Sequence, residues 1–241
     1  MYICNISINT VGDKQKNKIM GAFIAILIIL SWAAHLLYML LFQAVNLTEI
    51  SFWVHILLQS WLFTGLFITA HDSMHGTVSR YRRLNYLLGF LSTMLYAGMW
   101  YPMLIKKHRA HHQWPGTAKD PDYHVGNQNF FVWWFSFMKA YLTIWQIIIM
   151  AVLFNVGLIF FTELQLIVLW IIPAFLSTFQ LFYFGTFLPH RLPHTPEMLP
   201  HNARTQNRNH LWAFVSCYFF GYHSEHHASP RTPWWQLYKM K

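Results

Sequence analysis

The stretch His223-Ser224-Glu225-His226-His227 repeats the HxxHH pattern of His108-Arg109-Ala110-His111-His112, which lies more than a hundred residues upstream. Positions i, i+3 and i+4 share one face of a helix, so each stretch can direct several imidazoles at one point. A third stretch, His71-Asp72-Ser73-Met74-His75, offers two more at positions i and i+4. Eight of the fifteen histidines thus fall in three short windows, which we call boxes one, two and three in chain order. Surface histidines that cluster by chance are the competing explanation, and this spacing disfavours it.

The composition favours a membrane protein over a soluble globule. Hydrophobic residues make up 55% of the 241-residue chain and charged residues 10%, whereas soluble domains carry roughly a quarter charged residues. The net charge of +9 does not indicate nucleic-acid binding, because the basic residues are interleaved with long apolar runs, as at the cytoplasmic border of a membrane protein. The two cysteines, Cys4 and Cys217, form no CxxC motif, which disfavours thiolate metal sites and disulfides.

Four apolar runs predict an all-α integral membrane protein with four transmembrane helices, interfacial helices and a histidine-rich site on one side. A crossing needs about 20 mostly apolar residues. The sequence shows no repeat or linker, so we treat residues 1–241 as one membrane-embedded domain with a polar tail at residues 1–18 and no secretory signal. The predicted spans are residues 19–42, 50–70, 141–161 and 164–188.

The run at residues 84–104 is apolar enough to cross, but one crossing there would place boxes one and two on opposite sides. Gly89, Gly98 and Pro102 also weaken it as a straight helix. We therefore predict an interfacial or re-entrant hairpin. Interfacial segments are also expected at residues 130–137 and 211–222, and an extended proline-rich loop across the site at residues 189–200.

The basic residues predict the orientation. In the four-span layout the two far connectors, residues 43–49 and 162–163, contain no Lys or Arg, and all seventeen basic residues lie on the box side or at its border. This is the positive-inside pattern. It predicts that both termini and the boxes face the cytoplasm.

The boxes can hold metal ions through nitrogen. Segments offering two, three and three imidazoles supply more ligands than one ion needs, so two ions are the natural number. A structural zinc site would use four ligands and usually some cysteine, and zinc has no redox chemistry. Iron, which can activate O2, fits a lipid-embedded pocket better. The predicted ligands are His71, His75, His108, His111, His112, His223, His226 and His227.

His190 is a ninth candidate ligand, because it follows the fourth span where that span meets the box side. A loop histidine beside Arg191 is the alternative. Carboxylates near the boxes could accept the second N–H of a ligating imidazole and fix its orientation. The candidates are Asp72, Glu225, Asp120 and Asp122. For Asp72 and Glu225, solvated charges are an equal alternative. For Asp120 and Asp122, plain loop residues are the alternative, and the sequence favours it.

His35 and His55 lie inside spans one and two, where a histidine is a functional candidate by default. Their distance from the boxes instead favours a hydrogen-bonded pair, or a bond from either one to Gln59. Aromatic residues make up 19% of the chain, and most are expected in interfacial belts or in the core. Trp234 and Trp235 look like a terminal interfacial anchor. The candidates for lining a substrate pocket are Trp100, Tyr101, Trp114 and Phe187.

The order HxxxH, HxxHH, HxxHH around paired spans resembles that of the membrane fatty-acid desaturase and hydroxylase superfamily. Within it, the residues from about position 50 onward look like those of the bacterial-type β-carotene ketolases. The stretches that carry the closer resemblance are Thr69-Ala70-His71-Asp72-Ser73-Met74-His75-Gly76, box two with Pro115-Gly116-Thr117, Asp120-Pro121-Asp122, Phe184-Gly185-Thr186-Phe187-Leu188-Pro189-His190-Arg191, His201-Asn202-Ala203-Arg204, and Gly221-Tyr222 before box three with Pro233-Trp234-Trp235 after it.

This resemblance implies a non-haem di-iron oxygenase that uses O2 to install a keto group at carbon 4 of a β-ionone ring, taking β-carotene through echinenone to canthaxanthin. It implies two iron ions and an external two-electron donor such as a ferredoxin. A basic surface is a possible dock for that donor, and anchoring to anionic headgroups of the lipid bilayer is an equal alternative. That surface comprises Arg80, Arg82, Arg83, Lys106 and Lys107.

Other functions stay open at this point. A fatty-acyl desaturase or hydroxylase with the same metal centre is the second hypothesis. A membrane haem electron carrier would need paired histidines facing each other within the bilayer, and a metal transporter would need histidines along a path from one face to the other. The boxes instead cluster at the edges of the predicted spans.

Overall fold

The computed structural model describes the backbone of residues 7–241 and the side chains from Met20 onward, and this part of the chain forms helices and no β-strand. The predicted all-α class is therefore confirmed. Of the predicted tail, residues 1–6 and the side chains up to residue 19 lie outside the described part. The helices are α1 (Ser7–Phe42), α2 (Ile50–Met74), α3 (Arg82–Ala97), α4 (Tyr101–Gln113), α5 (Phe130–Tyr141), α6 (Ile144–Gly157), α7 (Glu163–His190), α8 (His210–Cys217) and α9 (His223–Ala228).

Three helices of the described part are long and apolar enough to cross a membrane: Met20–Phe42 of α1, α2 and α7, with 23, 25 and 28 residues. At a rise of about 1.5 Å per residue, each is longer than the roughly 30 Å of bilayer hydrocarbon. They correspond to predicted spans one, two and four, and α2 and α7 continue a few residues further toward the boxes than predicted. Within α7, Ile167–Ile171 and Tyr183–Phe187 are π-helical turns.

The run at residues 84–104 is broken at Gly98, one of the residues that weaken it as a straight helix. Helix α3 ends at Ala97 and is capped by Gly98, whose φ of +64° lies in the left-handed region that favours glycine. Helix α4 then starts at Tyr101, with Pro102 in its first turn, at 100° to α3. The two helices form a bent pair rather than one straight crossing, and box two lies at the end of α4.

The predicted third span, residues 141–161, is divided as well. Helix α5 ends at Tyr141, and α6 begins after Thr143, whose side chain accepts the N–H of Gln146. The two helices meet at 89°, and the 14 residues of α6 are fewer than the ~20 that a crossing needs. The described residues thus provide three spans, or five if each bent pair counts as one. The number of four spans and the side on which the boxes lie stay predictions.

Helix α2 lies at the centre of the fold, with 61% of its most apolar stretch buried, and packs against α1, α3 and α7. Its Gly65 permits a close approach, because a Cβ at this position would lie 2.6 Å from the hydroxyl of Tyr218. Tyr218 ends α8 in the left-handed conformation. The chain reverses there and delivers α9, with box three, to the end of α2.

The predicted histidine pair between the first two helices is confirmed. His35 donates from Nδ1 to the side-chain oxygen of Gln59 at 2.6 Å. Its Nε2 therefore carries a lone pair and accepts from His55 Nδ1 at 3.1 Å. This chain of bonds links α1 to α2 and matches each N–H with an acceptor.

Candidate metal centre

The three boxes meet at helix ends. Box one occupies the last turn of α2, with His75 directly after it; box two ends α4; and box three forms most of α9. Each box is helical, so the spacings i, i+3 and i+4 present its imidazoles on one side. The prediction that each stretch directs them at one point is wrong for boxes two and three, whose histidines divide between two clusters. Together with His190 at the end of α7, they form two groups of side chains.

The first group, the five-histidine cluster, offers one ring nitrogen from each member, and all of these nitrogens lie within 4.8 Å of one another. His226 Nε2 lies 3.1 Å from His71 Nε2 and 3.0 Å from His112 Nε2. Two ligands at right angles on metal–nitrogen bonds of about 2.1 Å would be about 3.0 Å apart. The spacing is that of a coordination shell. The members are His71, His75, His108, His112 and His226.

The second group, the four-histidine cluster, consists of His111, His190, His223 and His227, all of them buried. The same 4.8 Å limit holds for its nitrogens. His227 Nε2 lies 3.1 Å from the Nε2 atoms of both His111 and His223.

The two clusters are interleaved along the chain. Box two contributes His108 and His112 to the first cluster and His111 to the second. Box three contributes His226 to the first cluster and both His223 and His227 to the second. Neither cluster can therefore be built without helices that also build the other.

In the four-histidine cluster, the Nε2 atoms that face one another carry more lone pairs than protons. His111 donates its Nδ1 proton to Asp120, and His190 donates its own to the carbonyl of Asn202 at 2.9 Å. In both rings Nε2 is then an acceptor. His190 Nε2 is buried without a hydrogen-bond partner, and His227 has one N–H for two neighbouring nitrogens. A buried cation would satisfy these lone pairs, so the residues present fit a metal ion.

Burial holds four of the box imidazoles, those of His75, His223, His226 and His227, in their neutral, metal-binding form. Burial lowers the pKa of His75 to about 4. Burial also places the pKa values of His223, His226 and His227 well below the usual value for histidine. A neutral imidazole can donate a lone pair to a metal without first losing a proton.

Asp120 orients one of these rings. Both of its carboxylate oxygens lie 3.0 Å from His111 Nδ1, and they also accept the N–H groups of Gly116 at 2.8 Å and Asp122 at 2.9 Å. The carboxylate is buried and fixed by these bonds. Such a carboxylate–imidazole contact sets the ring orientation and the tautomer of a ligand. Asp122 lies further away, with Oδ2 at 3.7 Å from the same nitrogen.

The two carboxylates inside the boxes are placed differently. Asp72 Oδ1 lies 3.5 Å from His71 Nδ1, which has no hydrogen-bond partner. Asp72 Oδ2 accepts the N–H of Trp234 at 3.0 Å, so this side chain ties the C-terminal turn to box one. Glu225 is half-buried, and its Oε2 has no partner among the described residues. Their predicted role beside ligands stays a prediction.

A cavity of about 620 Å³ reaches the histidines. Its wall is formed mainly by α3 to α7 and is largely apolar. Four histidines of the two clusters form part of this wall: His71, His108, His111 and His223. This volume lies within the roughly 300–1,000 Å³ of small-molecule sites.

The four aromatic pocket candidates lie outside the wall of this cavity. Trp100 and Trp114 are exposed at 56% and 39%, because they flank the ends of α4. Tyr101 is buried and donates to Ser73 Oγ at 2.7 Å, and Phe187 packs with Trp133 in a separate cluster. The cavity is lined instead by other side chains, among them Phe67, Tyr96, Leu104, Phe137, Tyr141 and Phe220.

Sequence reasoning did not single out two residues at the site. The carbonyl of Asn202 accepts from His190, and a φ of +46° turns this residue toward it. The motif around His201 was the available signal, but a backbone contact leaves no pattern of its own. Tyr141 was assigned only to the start of a span, whereas it ends α5 and donates its hydroxyl proton to Asp122.

The fold and the site together define a class: all-helical proteins with membrane-spanning helices and a buried, histidine-rich candidate metal centre at the helix ends. The fatty acid desaturase family model matches residues 50–148 and 138–241. The chain belongs to this family. No solved structure matches the chain at a significant level.

Within that family the chain is similar to several ketolases. It is 45% identical to a zeaxanthin 4-ketolase of Chlamydomonas reinhardtii over 75% of this chain and 42% of the relative. It is 38% identical to a β-carotene 4-ketolase of Protosiphon botryoides over 92% of this chain and 63% of the relative. A β-carotene ketolase of Paracoccus sp. (strain PC1) is 40% identical over 74% of each chain. The chain thus spans about half the length of the algal relatives and three quarters of the bacterial one.

Proposed function

We propose that this chain is a β-carotene 4-ketolase, a non-haem di-iron oxygenase that uses O2 to convert carbon 4 of the β-ionone ring to a ketone, through echinenone to canthaxanthin. The observation that carries the proposal is a largely apolar cavity that ends on two interleaved histidine clusters. The names of the similar proteins support the choice of substrate.

We assign one iron ion to each cluster. The proposed ligands are the nine histidines of the two clusters, and His190 is one of these nine. Bound iron would supply the activation of O2, as nitrogen-ligated non-haem iron does in other oxygenases. The protein contributes fixed imidazoles. Asp120 holds the ring of His111, and the carbonyl of Asn202 holds that of His190.

The cavity would hold the ring with a C–H bond next to the ring double bond turned toward the histidines. Apolar side chains such as Phe67, Leu104 and Phe220 exclude water from the reacting carbon. The first oxygenation gives an alcohol at carbon 4. The second, at the same carbon, gives a geminal diol that loses water to form the ketone.

Each oxygenation consumes one O2 and two external electrons, so a ferredoxin or a similar donor is proposed as the partner. Arg80, Arg82, Arg83 and Lys106 are exposed and offer a basic surface for an acidic donor. Binding of this surface to anionic lipid headgroups is the alternative. Both termini and the site are proposed to face the cytoplasm.

Expression in a host that accumulates β-carotene tests the function directly. Chromatography of the pigments is expected to show echinenone and canthaxanthin in cells with the parental protein, and neither in cells with His111→Ala. Unchanged β-carotene in both cultures, with iron bound to the parental protein, would contradict the proposal.

A fatty-acyl desaturase or hydroxylase is the second candidate, because the matching family model bears that name. The same cultures decide between the two: new double bonds or hydroxyl groups in the cellular fatty acids, without pigment change, would favour this candidate. An absorption spectrum of the purified protein without a Soret band would exclude a haem electron carrier.

A further inference from the structure

A polar pair interrupts the apolar wall of the cavity beside the histidines. Tyr141 donates its hydroxyl proton to Asp122 Oδ1, and Asp122 Oδ2 lies 3.7 Å from His111 Nδ1. All three side chains line the cavity. A molecule bound against the four-histidine cluster would therefore contact this pair.

The pair is held in place from several sides. The indole N–H of Trp133 donates to the backbone carbonyl of Asp122 at 2.7 Å. Tyr141 is 8% exposed. The centroid of its ring lies 4.9 Å from that of Phe137 and 4.5 Å from the Nζ atom of Lys107. The position of both polar groups is thus fixed before a ligand binds.

The hydrogen-bonding capacity of the pair is one-sided. Tyr141 has one hydroxyl proton and gives it to Asp122, which leaves lone pairs on the phenol oxygen. The carboxylate of Asp122 has further lone pairs at Oδ2. Toward the cavity the pair can accept a hydrogen bond but has no proton to donate, so it suits an alcohol and not a ketone.

We propose that the Asp122–Tyr141 pair binds the ring alcohol between the two oxygenations and releases the ketone. This inference rests on the proposed function. In the first step CH2, O2, two electrons and two protons give CHOH and water; in the second, CHOH with the same reactants gives C(OH)2 and water, and the diol loses water to C=O. The starting ring has no O–H and the final ketone has only an acceptor oxygen. Only the intermediates can donate to this pair.

The test compares Tyr141→Phe with the parental protein and with a matched control, Tyr96→Phe. Tyr96 also lines the cavity, but its hydroxyl is bonded to Ser177 Oγ at 2.7 Å. Iron-loaded membranes receive either β-carotene or its 4-hydroxy derivative, with O2 and an electron donor. Products are separated by chromatography, and bound iron is measured by mass spectrometry.

In Tyr141→Phe we expect a higher fraction of released alcohol and a KM for the 4-hydroxy substrate raised about three- to tenfold, which corresponds to the loss of one hydrogen bond. The KM for β-carotene changes less than the KM for the 4-hydroxy substrate, and activities are compared per bound iron. In Tyr96→Phe the fraction of released alcohol stays at the parental value, even where the total turnover of this variant changes. If Tyr141→Phe does not accumulate, Asp122→Asn replaces it, and a raised alcohol fraction is expected there too.

A parental alcohol fraction and a parental KM for the 4-hydroxy substrate in the iron-loaded variant would overturn the inference and leave the proposed function standing. If the parental protein with bound iron oxygenates neither substrate, the proposed function fails and the inference fails with it.

Discussion

The His35–His55 pair between α1 and α2 and the four-histidine cluster both lie in apolar surroundings, and they differ in how their nitrogens are satisfied. Between α1 and α2, the Gln59–His35–His55 chain matches each N–H with an acceptor. At the facing Nε2 atoms of the four-histidine cluster, lone pairs outnumber protons, and the Nε2 of His190 is buried without a partner. The comparison teaches that clustering alone does not indicate a metal site. The surplus of lone pairs does.

The largest effect is expected from removing a proposed ligand, His111, which box two gives to the four-histidine cluster. His111→Ala should lose bound iron and reduce ketone formation by more than about 100-fold, since the effect of a ligand exceeds that of the groups that orient it. Iron per protein and pigment composition measure this. The control is His55→Ala, which removes an intramembrane histidine of the satisfied group and should retain iron. Full iron and activity in His111→Ala would break the comparison.

The next effect concerns the iron-free protein and pH. Burial lowers the pKa of His75 from its usual value of 6.5 to about 4. The unfolded chain therefore takes up a proton near pH 6.5 that the folded protein does not, so this contribution to stability is full above pH 6.5 and is lost as the pH falls to about 4. The contribution amounts to about 3 kcal/mol. Thermal unfolding of chelator-treated protein from pH 7 to 4 should show this decline.

The matched variant for the pH experiment is His75→Gln, whose stability should fall less over the same range because one buried titrating group is absent. Equal slopes for the two proteins would show that His75 is not a source of the decline.

A smaller effect is expected at the carboxylate that orients His111. The Asp120 carboxylate accepts hydrogen bonds from the His111 ring and from two backbone N–H groups. Asp120→Asn replaces this carboxylate with an amide, which is a weaker acceptor. We expect iron affinity to fall about 10- to 100-fold, as measured by competition with a chelator. Asp72→Asn is the comparison variant, because its carboxylate lies further from an imidazole nitrogen, at 3.5 Å from His71 Nδ1, and an amide oxygen can still accept from Trp234. A parental iron affinity in Asp120→Asn would assign no orienting role to Asp120.

The smallest effect is expected in the satisfied group. Gln59→Leu leaves the Nδ1 proton of His35 without its acceptor and should destabilise the protein by about 1–2 kcal/mol, with iron content unchanged. Thermal unfolding in detergent measures the change. The double variant His35→Leu/Gln59→Leu should lose less than the sum of the two single variants, since the His35–Gln59 bond is absent in all three and its loss is counted only once in the double variant. A loss of iron in Gln59→Leu would contradict the division between the two groups.

Much of the site could be predicted because box spacing is a local, helical property. His71 and His75 lie where α2 ends, and both HxxHH boxes form helices, as their patterns indicate. The bend at Gly98 was also foreseeable from a residue that tolerates positive φ.

Other features depend on contacts that no local pattern records. The division of residues 141–161 follows from capping by Thr143, a weak signal inside a run that hydropathy treats as continuous. Trp100 is close to box two in sequence, yet it lies at the exposed start of α4. Tyr141 lines the cavity only because α5 folds back beside the loop that carries Asp122.

The interleaving of the clusters has a consequence for how the centre fills. Because the helices of boxes two and three serve both clusters, an ion that settles in one of them also fixes backbone that the other requires, and lowers the entropic cost of a second ion. Uptake is therefore expected to be cooperative, with half-filled molecules scarce during titration. Loss of either ion should weaken the binding of the other.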